Sequence, residues 1–250
     1  MSPTPQTSIE HQVRTNPYLD GAKVGLIVPS VNTTTEPEFA WVAPPGISFH
    51  ATRIFMNVTT PDALRSMNKE VTRAAELLAT LSPHVVAYVC TAGSFVDGPE
   101  ATAALLSEMR EIVGCPVIAT SGAMISALRH LVITRIALAT PYPQDVAELE
   151  RQFFLASGVD VLSCGCLGRS GASVRPTTFE EIAELVRRVD RPDAQAIFVS
   201  CTDLRAFELV SILENELGKA VLTSNQVTLW AILQTLRRCS PLTGYGRLLT

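Results

Sequence analysis

The chain has 250 residues, of which 47% are hydrophobic and 18% charged, and its formal net charge is −4. These proportions exclude an intrinsically disordered protein, which has few large apolar residues and a high net charge. The weak acidity does not favour nucleic acid or an anionic membrane as a partner, and no apolar run approaches the roughly 20 residues that span a bilayer.

The cysteine content and the N-terminal segment indicate a reducing environment. Six cysteines in a chain of this length are too sparse for a disulfide scaffold. Residues 1–15 are polar and do not resemble a signal peptide. We therefore expect free thiols, a cytoplasmic location and a flexible N-terminal tail at residues 1–20.

Beyond the tail, apolar β-branched runs alternate with helical patterns. The predicted strands are residues 23–28, 47–54, 85–89, 116–119, 135–139, 159–163, 196–200 and 220–223. The predicted helices are residues 61–81, 99–113, 122–131, 143–157, 178–189, 204–217 and 226–236. This alternation is typical of βαβ units, in which helices cover both faces of a parallel sheet.

The strand–helix pattern runs twice along the chain. The segment that starts at Lys23 recurs at Arg135, and Cys90-Thr91 recurs at Cys201-Thr202. We therefore predict an α/β fold of two pseudo-symmetric lobes with the active site in the cleft between them. The predicted lobes are residues 21–120 together with 221–250, and residues 121–220.

The residues that follow the predicted strands are candidates for ligand binding, because ligands in open α/β sheets lie beyond the carboxyl ends of the strands. These segments contain hydroxyl, amide and small side chains but no Lys, Arg or His. Neutral donors and helix N-termini of this kind suit a small carboxylate. The segments are residues 29–34, 90–94, 120–122, 140–142, 201–203 and 223–225.

Cys90 and Cys201 each end a strand and precede a threonine. A helix that starts there would lower the thiol pKa and make the cysteine reactive. The alternative is that both cysteines pack in the core, but their equivalent positions in two lobes favour a reactive pair. The Cys164-Gly165-Cys166 stretch is weak evidence for a metal. Because GxGxxG and Walker motifs are also missing from the sequence, we predict neither a metal nor another cofactor.

Several of these segments resemble one superfamily. Residues 25–38, GLIVPSVNTTTEPE, resemble the opening of the maleate cis-trans isomerases of the aspartate/glutamate racemase superfamily. Residues 90–94 and 139–142 resemble the first cysteine motif and the tyrosine segment of these isomerases. Residues 201–204 are similar to the second cysteine motif, in a form closer to that of the racemases. The arylmalonate decarboxylases share this frame but have glycine at the position of Cys90.

The resemblance implies two flavodoxin-like lobes, cofactor-free catalysis and a homo-oligomer. It also implies that Cys90 is the nucleophile and that Cys201 is the proton donor. A further substrate-binding asparagine follows a Leu-Gly pair in the isomerases, whereas residues 167–173 contain none here. The residues implied to contact the substrate carboxylates or to supply donors are Asn32, Tyr142, Thr91, Ser94 and Thr202.

Two opposed thiols are compatible with more than one function. In a cis-trans isomerase of maleate or a related small unsaturated dicarboxylate, a thiolate adds to the double bond, the bond rotates and the thiolate leaves. A racemase of an amino-acid-like substrate would use the thiols as base and acid on opposite faces. The same frame would suit an arylmalonate-type decarboxylase, and a non-catalytic binding protein would use the cleft only to hold a carboxylate. We predict the isomerase.

Overall fold

The computed structural model describes residues 16–250. The predicted tail lies largely outside this range, and residues 16–20 form an exposed turn. No helix within residues 16–250 is long and apolar enough to cross a membrane.

Two four-stranded parallel sheets form the centre of the molecule. The first consists of β1 (Ala22–Pro29), β2 (Ile47–Ile54), β3 (Val85–Tyr88) and β4 (Val117–Ala119), in the order β2-β1-β3-β4. The second consists of β5 (Arg135–Thr140), β6 (Asp160–Cys166), β7 (Ala196–Val199) and β8 (Ala220–Thr223), in the order β6-β5-β7-β8. The equivalent strand orders confirm the prediction of two similar α/β lobes.

Helices cover both sheets, which explains why the central strands are apolar on both faces. Every residue of β3 and β7 is buried, as is typical of parallel sheets between helical layers. The helices are α1 (Thr35–Val42), α2 (Pro61–Asn68), α3 (Val71–Ala79), α4 (Thr91–Phe95), α5 (Gly98–Val113), α6 (Thr120–His130), α7 (Gln144–Ala156), α8 (Phe179–Val189), α9 (Val210–Leu217) and α10 (Ser224–Thr235).

The structure differs from the prediction in three helical regions. The predicted helix 61–81 is interrupted between α2 and α3, where the Asn68 side chain is bound to Tyr88 and to the Gly93 carbonyl. The unpredicted helix α1 follows a turn in which the Asn32 Oδ1 accepts hydrogen bonds from the N–H groups of Thr34 and Thr35. The predicted helix 204–217 becomes a 3₁₀ turn, Phe207–Leu209, followed by α9. At the break in the predicted helix 61–81, tertiary hydrogen bonds therefore override local helix propensity.

The C-terminal part of the chain contacts both lobes. Strand β8 pairs with β7 of the second sheet, whereas α10 packs on α6 and on β3 and β4 of the first. The predicted boundary at residue 221 thus lies close to the point where the chain passes from the second lobe to the first. This division of the chain stays a prediction.

The second lobe buries a carboxyl group in its core. Glu150 of α7 is fully buried, and its Oε1 accepts a hydrogen bond of 2.6 Å from the Ser200 hydroxyl. Burial raises the pKa of Glu150 to about 8, although the bond from Ser200 opposes the rise. Glu150 is therefore protonated in the folded protein at neutral pH.

We expect Glu150→Gln to reduce the loss of stability that occurs as the pH rises. The folded protein keeps the Glu150 proton up to about pH 8, whereas the unfolded chain releases it near the ordinary glutamate pKa. Because the folded state binds more protons in this range, the free energy of unfolding falls as the pH rises. Chemical denaturation at pH 5 and pH 8 measures this fall in the free energy of unfolding. Between the two pH values, the fall should be at least about 1 kcal/mol smaller in the variant than in the unchanged protein.

The matched control is Glu111→Gln, which makes the same chemical change at an exposed glutamate. Its unfolding free energy should vary with pH in the same way as that of the unchanged protein. Equal pH dependence in the Glu150 and Glu111 variants would show that Glu150 is ionised in the folded protein.

Candidate active site

The carboxyl ends of the two sheets meet at one narrow cleft. The lining comes from the segments that follow β1, β2, β3, β5, β6 and β7, and none of the described lining residues is Lys, Arg or His. The lining residues are Pro29, Val31, Asn32, Met56, Thr59, Cys90, Thr91, Ala92, Tyr142, Gly171, Val174, Cys201, Thr202 and Asp203. Of the seven predicted site residues, the cleft thus brings together all except Ser94.

Cys90 lies between β3 and α4, as the sequence predicts. The residue is 4% exposed, and its Sγ accepts a hydrogen bond of 3.3 Å from the Gly93 N–H at the start of α4. Burial raises the pKa of the Cys90 thiol to about 11, while the Gly93 N–H and the Tyr88 hydroxyl oppose the rise. The expectation of a lowered pKa is therefore wrong for this structure, because desolvation outweighs the helix terminus.

Cys201 has a different local structure from Cys90. No helix follows it, and its φ of +94° lies in the left-handed region, a strained conformation for a non-glycine residue. Burial and the negative charge of Asp203 raise the pKa of its thiol to about 12, while the Asp203 N–H and the Tyr142 hydroxyl oppose the rise. Both thiols are therefore protonated in the ligand-free cleft at neutral pH.

Ser224, at the start of α10, links the loops that carry the two cysteines. Its hydroxyl oxygen accepts one hydrogen bond from the Thr91 hydroxyl, at 2.9 Å, and one from the Cys201 N–H, at 3.0 Å. Ser224 is fully buried. It belongs to the strand-end segment 223–225, but nothing in the sequence distinguishes it there as a site residue.

Asn32 crosses the cleft between the lobes. Its Nδ2 donates to the hydroxyls of Thr35, at 3.0 Å, and Thr202, at 3.1 Å, while its Oδ1 accepts from the N–H groups of Thr34 and Thr35. The amide is thus fully engaged within the protein. Its expected role in binding a carboxylate stays a prediction, since a ligand must replace one of these bonds.

Two further residues that sequence reasoning missed reinforce the junction between the lobes. Asp203 Oδ1 accepts bonds from the Thr33 N–H, at 2.8 Å, and the Thr34 hydroxyl, at 3.0 Å. The Asn225 side chain donates to the Thr202 carbonyl and to Glu38, whose pKa burial raises to about 8. Both residues lie in predicted strand-end segments, but their partners are remote in the sequence.

Ser94 stabilises the Cys90 loop on the side that faces away from the cleft. Its hydroxyl donates to the Thr91 carbonyl, at 3.0 Å, and accepts from the Ser121 N–H, at 3.1 Å. The side chain is buried and lies outside the cleft lining formed by the described residues. A direct role in substrate binding stays a prediction, and the observed contacts indicate a supporting role.

Tyr142 and a contact between the lobes enclose the cleft. Tyr142 is 2% exposed, and its hydroxyl lies close enough to the Cys201 thiol to lower that thiol's pKa. On another wall, the Gly171 N–H donates to the Thr59 hydroxyl, at 3.1 Å, and the Thr59 N–H donates to the Ser170 hydroxyl, at 2.5 Å. The cleft is therefore a small enclosed site that exposes two thiols, hydroxyls and apolar surface to a ligand.

Two α/β lobes that bring one cysteine each to a shared cleft define a class of two-thiol enzymes. A family model described as arylmalonate decarboxylase matches residues 24–249, and the chain belongs to this family. The chain is 30% identical over 238 residues to the maleate isomerase of Nocardia farcinica, covering 91% of this chain and 95% of that protein. It is also 30% identical over 231 residues to the arylmalonate decarboxylase of Bordetella bronchiseptica, covering 90% and 95%.

Solved structures show the same architecture. A cysteine-to-alanine variant of a Pseudomonas putida maleate isomerase with maleate has a TM-score of 0.88 at 25% identity, covering 91% of this chain and 97% of that one. A cysteine-to-serine variant of the Nocardia farcinica isomerase carries a covalently bound succinylcysteine intermediate. It has a TM-score of 0.87 at 28% identity, covering 91% and 98% of the two chains.

The Cys90 loop depends on a glycine, so we expect Gly93→Ala to destabilise the protein and reduce its activity. A Cβ at this position would lie 2.1 Å from the Tyr88 hydroxyl oxygen and 3.1 Å from Cys90 Sγ. Such overpacking costs about 1–3 kcal/mol. Chemical denaturation should show a loss of this size, and turnover should fall because the thiol is displaced.

Gly122→Ala is the matched control, since a Cβ there would meet no heavy atom within 4 Å. Gly122 lies in α6, where alanine favours the helix by about 1 kcal/mol. The control should be at least as stable as the unchanged protein. Equal stability of the two alanine variants would contradict the packing described around Cys90.

Proposed function

We propose that this protein is a cofactor-independent cis-trans isomerase of maleate or a related small unsaturated dicarboxylate. The observation that carries the proposal is the pair of thiols, one from each lobe, that line one enclosed cleft. A substrate held between them is approached by sulfur on one side and by a proton donor on the other. The resemblance gives the decarboxylases glycine at the position of Cys90, so a thiol at this position favours the isomerase.

The surroundings of the two thiols support different roles for them. The Gly93 N–H at the start of α4 favours a negative charge on Cys90. The carboxylate of Asp203 disfavours a negative charge on Cys201. We therefore assign Cys90 as the nucleophile and Cys201 as the proton donor.

The proposed reaction proceeds by addition, rotation and elimination. The Cys90 thiol first releases its proton to solvent. The thiolate sulfur then forms a bond to one alkene carbon, while the other alkene carbon takes a proton from Cys201, which becomes a thiolate. The former double bond is then a single bond, about which the intermediate rotates. Cys201 removes the proton again, the C–S bond breaks and the trans product forms. Asn32, Thr91, Tyr142 and Thr202 are proposed to bind the carboxylates.

The proposal extends to the cofactor requirement, location and assembly. The described residues that line the cleft offer thiol, hydroxyl and amide groups for the proposed isomerisation, which supports turnover without a cofactor. The six cysteines form no disulfide, which supports a reducing compartment such as the cytoplasm. The homo-oligomer rests on the family resemblance.

Turnover should not depend on a metal ion, because the proposed steps need only thiols and hydrogen-bond donors. Among residues 16–250, no three His, Cys, Asp or Glu side chains are grouped so that they could hold a metal. Isomerisation should therefore continue at an unchanged rate after dialysis against a chelator. Loss of turnover that a divalent ion restores would contradict this part of the proposal.

The central test compares two cysteine variants. Cys90→Ala should abolish conversion of maleate to fumarate, followed by proton NMR, because no other group adds to the double bond. Cys201→Ser should retain some activity, reduced about 10²–10⁴-fold, because a hydroxyl or water is a poorer proton donor. Mass spectrometry should find a substrate adduct on the peptide that contains Cys90.

Cys239→Ser serves as the control, since Cys239 is exposed and lies outside the cleft lining. Its turnover should match that of the unchanged protein. An adduct on Cys201 alone, with an active Cys90→Ala variant, would reverse the two roles. A separate incubation with amino acids in D2O tests for racemisation. Deuterium on the carbon next to the carboxylate of the recovered amino acid would indicate a racemase instead of an isomerase.

A further inference from the structure

Cys90 has a second polar neighbour besides the Gly93 N–H, and the proposed reaction gives that neighbour no role. Tyr88 precedes Cys90 by two residues in extended backbone, so the two side chains lie on the same face of the strand. Tyr88 is fully buried and does not line the described cleft. Its hydroxyl therefore approaches the Cys90 loop from inside the protein, where a substrate does not compete for it.

Two observations locate the Tyr88 hydroxyl. It donates a hydrogen bond of 2.6 Å to Asn68 Oδ1, and the Asn68 amide donates at 2.8 Å to the Gly93 carbonyl. A Cβ added to Gly93 would lie 2.1 Å from the Tyr88 hydroxyl oxygen and 3.1 Å from Cys90 Sγ. The hydroxyl oxygen and the sulfur therefore border the same small space, which is open because residue 93 is a glycine.

The Tyr88 hydroxyl has one proton and two neighbouring acceptors. While Cys90 is a thiol, the proton is donated to Asn68. A thiolate is the stronger acceptor, because a hydrogen bond to an ionised group is about twice as strong as one between neutral groups. Rotation about the C–O bond of the tyrosine moves the proton from Asn68 to the sulfur, and no heavy atom has to shift.

Asn68 loses little when the hydroxyl proton turns away from it. Its side chain is half-buried and lines a pocket at the surface, together with Ser94 and Asp97, that is separate from the cleft. Water in that pocket would donate to Asn68 Oδ1 in place of the tyrosine, so the acceptor is not left without a partner.

We propose that Tyr88 is the hydrogen-bond donor that stabilises the Cys90 thiolate, and that Asn68 accepts its hydroxyl proton while Cys90 is a thiol. Tyr88 is a positioning residue, because it acts through Cys90 and does not contact the substrate. It keeps its proton throughout, and no covalent bond to it forms or breaks. Its role in turnover rests on the proposed isomerase, whereas its effect on the thiol does not.

The pKa values of the two groups agree with a donor role for Tyr88. Burial raises the pKa of the Tyr88 hydroxyl well above its usual value, so the hydroxyl stays protonated at neutral pH. Burial also raises the pKa of the Cys90 thiol, and the Gly93 N–H and the Tyr88 hydroxyl oppose that rise. Tyr88 is thus suited to stabilise a thiolate and unsuited to act as its base.

The test is the rate at which iodoacetamide alkylates Cys90 in the ligand-free protein, followed by mass spectrometry of the peptide that contains Cys90. Only the thiolate reacts, so the rate at a fixed pH reports the ionised fraction of the thiol. In Tyr88→Phe, the ring fills the same space but donates no hydrogen bond. Alkylation at pH 8 should therefore be at least about tenfold slower than in the unchanged protein.

Asn68→Ala distinguishes a hydrogen-bond donor from a merely structural role of the pair. This variant removes the competing acceptor, so the Tyr88 hydroxyl stays available to the thiolate, and Cys90 should be alkylated at least as fast as in the unchanged protein. Tyr18→Phe is the matched control, the same change at an exposed tyrosine, and should leave the rate unchanged. In turnover, Tyr88→Phe should lower kcat for maleate by a factor similar to that in alkylation and leave KM unchanged, since Tyr88 does not line the cleft.

An unchanged rate of alkylation in Tyr88→Phe would overturn the inference. An equal loss of rate in Asn68→Ala would overturn it too, because the two side chains would then only support the loop. Slower alkylation of Tyr88→Phe in a protein that isomerises no unsaturated dicarboxylate would support the inference and overturn the isomerase. Isomerisation by the unchanged protein, with alkylation unaffected in Tyr88→Phe, would support the isomerase and overturn the inference.

Discussion

Hydrogen bonds between the strand-end loops of the two lobes determine the rest of the site. Parallel strands end in loops whose polar groups need partners, and here many of those partners lie in the opposite lobe. Asn32 donates to Thr202, Thr34 donates to Asp203, and Thr91 and Cys201 share Ser224. Because these bonds cross the cleft, they fix the positions of the two cysteines and limit the space for a ligand.

The same bonds make two similar lobes chemically unequal. Cys90 begins a helix in a relaxed conformation, whereas Cys201 lies in a strained turn whose Asp203 is held by the first lobe. Repetition of sequence thus supplies two thiols, and the junction between the lobes gives them different surroundings. A thiol beside a helix N-terminus and a thiol beside a carboxylate are suited to opposite protonation states.

Much of this fold could be predicted because its strands are continuous apolar runs and its cysteines follow two of them. The strand order repeats as the sequence repeat indicates, and six of the seven predicted site residues line one cleft. The roles of Asp203, Ser224 and Asn225 could not be predicted, since each depends on a partner in another loop. The raised thiol pKa values were also inaccessible, because they result from burial that only the folded chain creates.

Carboxyl groups are distributed unevenly around the two thiols, and this bears on the direction of proton transfer. Glu150 contacts Ser200, Asp203 follows Thr202, and Glu38 reaches the Thr202 carbonyl through Asn225. In the part of the chain that the structure describes, the Cys90 loop is instead hydrogen-bonded by neutral groups, such as the side-chain amide of Asn68 and the backbone N–H of Ser121. Burial keeps Glu38 and Glu150 protonated at neutral pH, so they support the Cys201 loop without adding charge. Asp203 is then the main source of negative charge near Cys201, and it favours the protonated form of that thiol, which the role proposed for Cys201 requires.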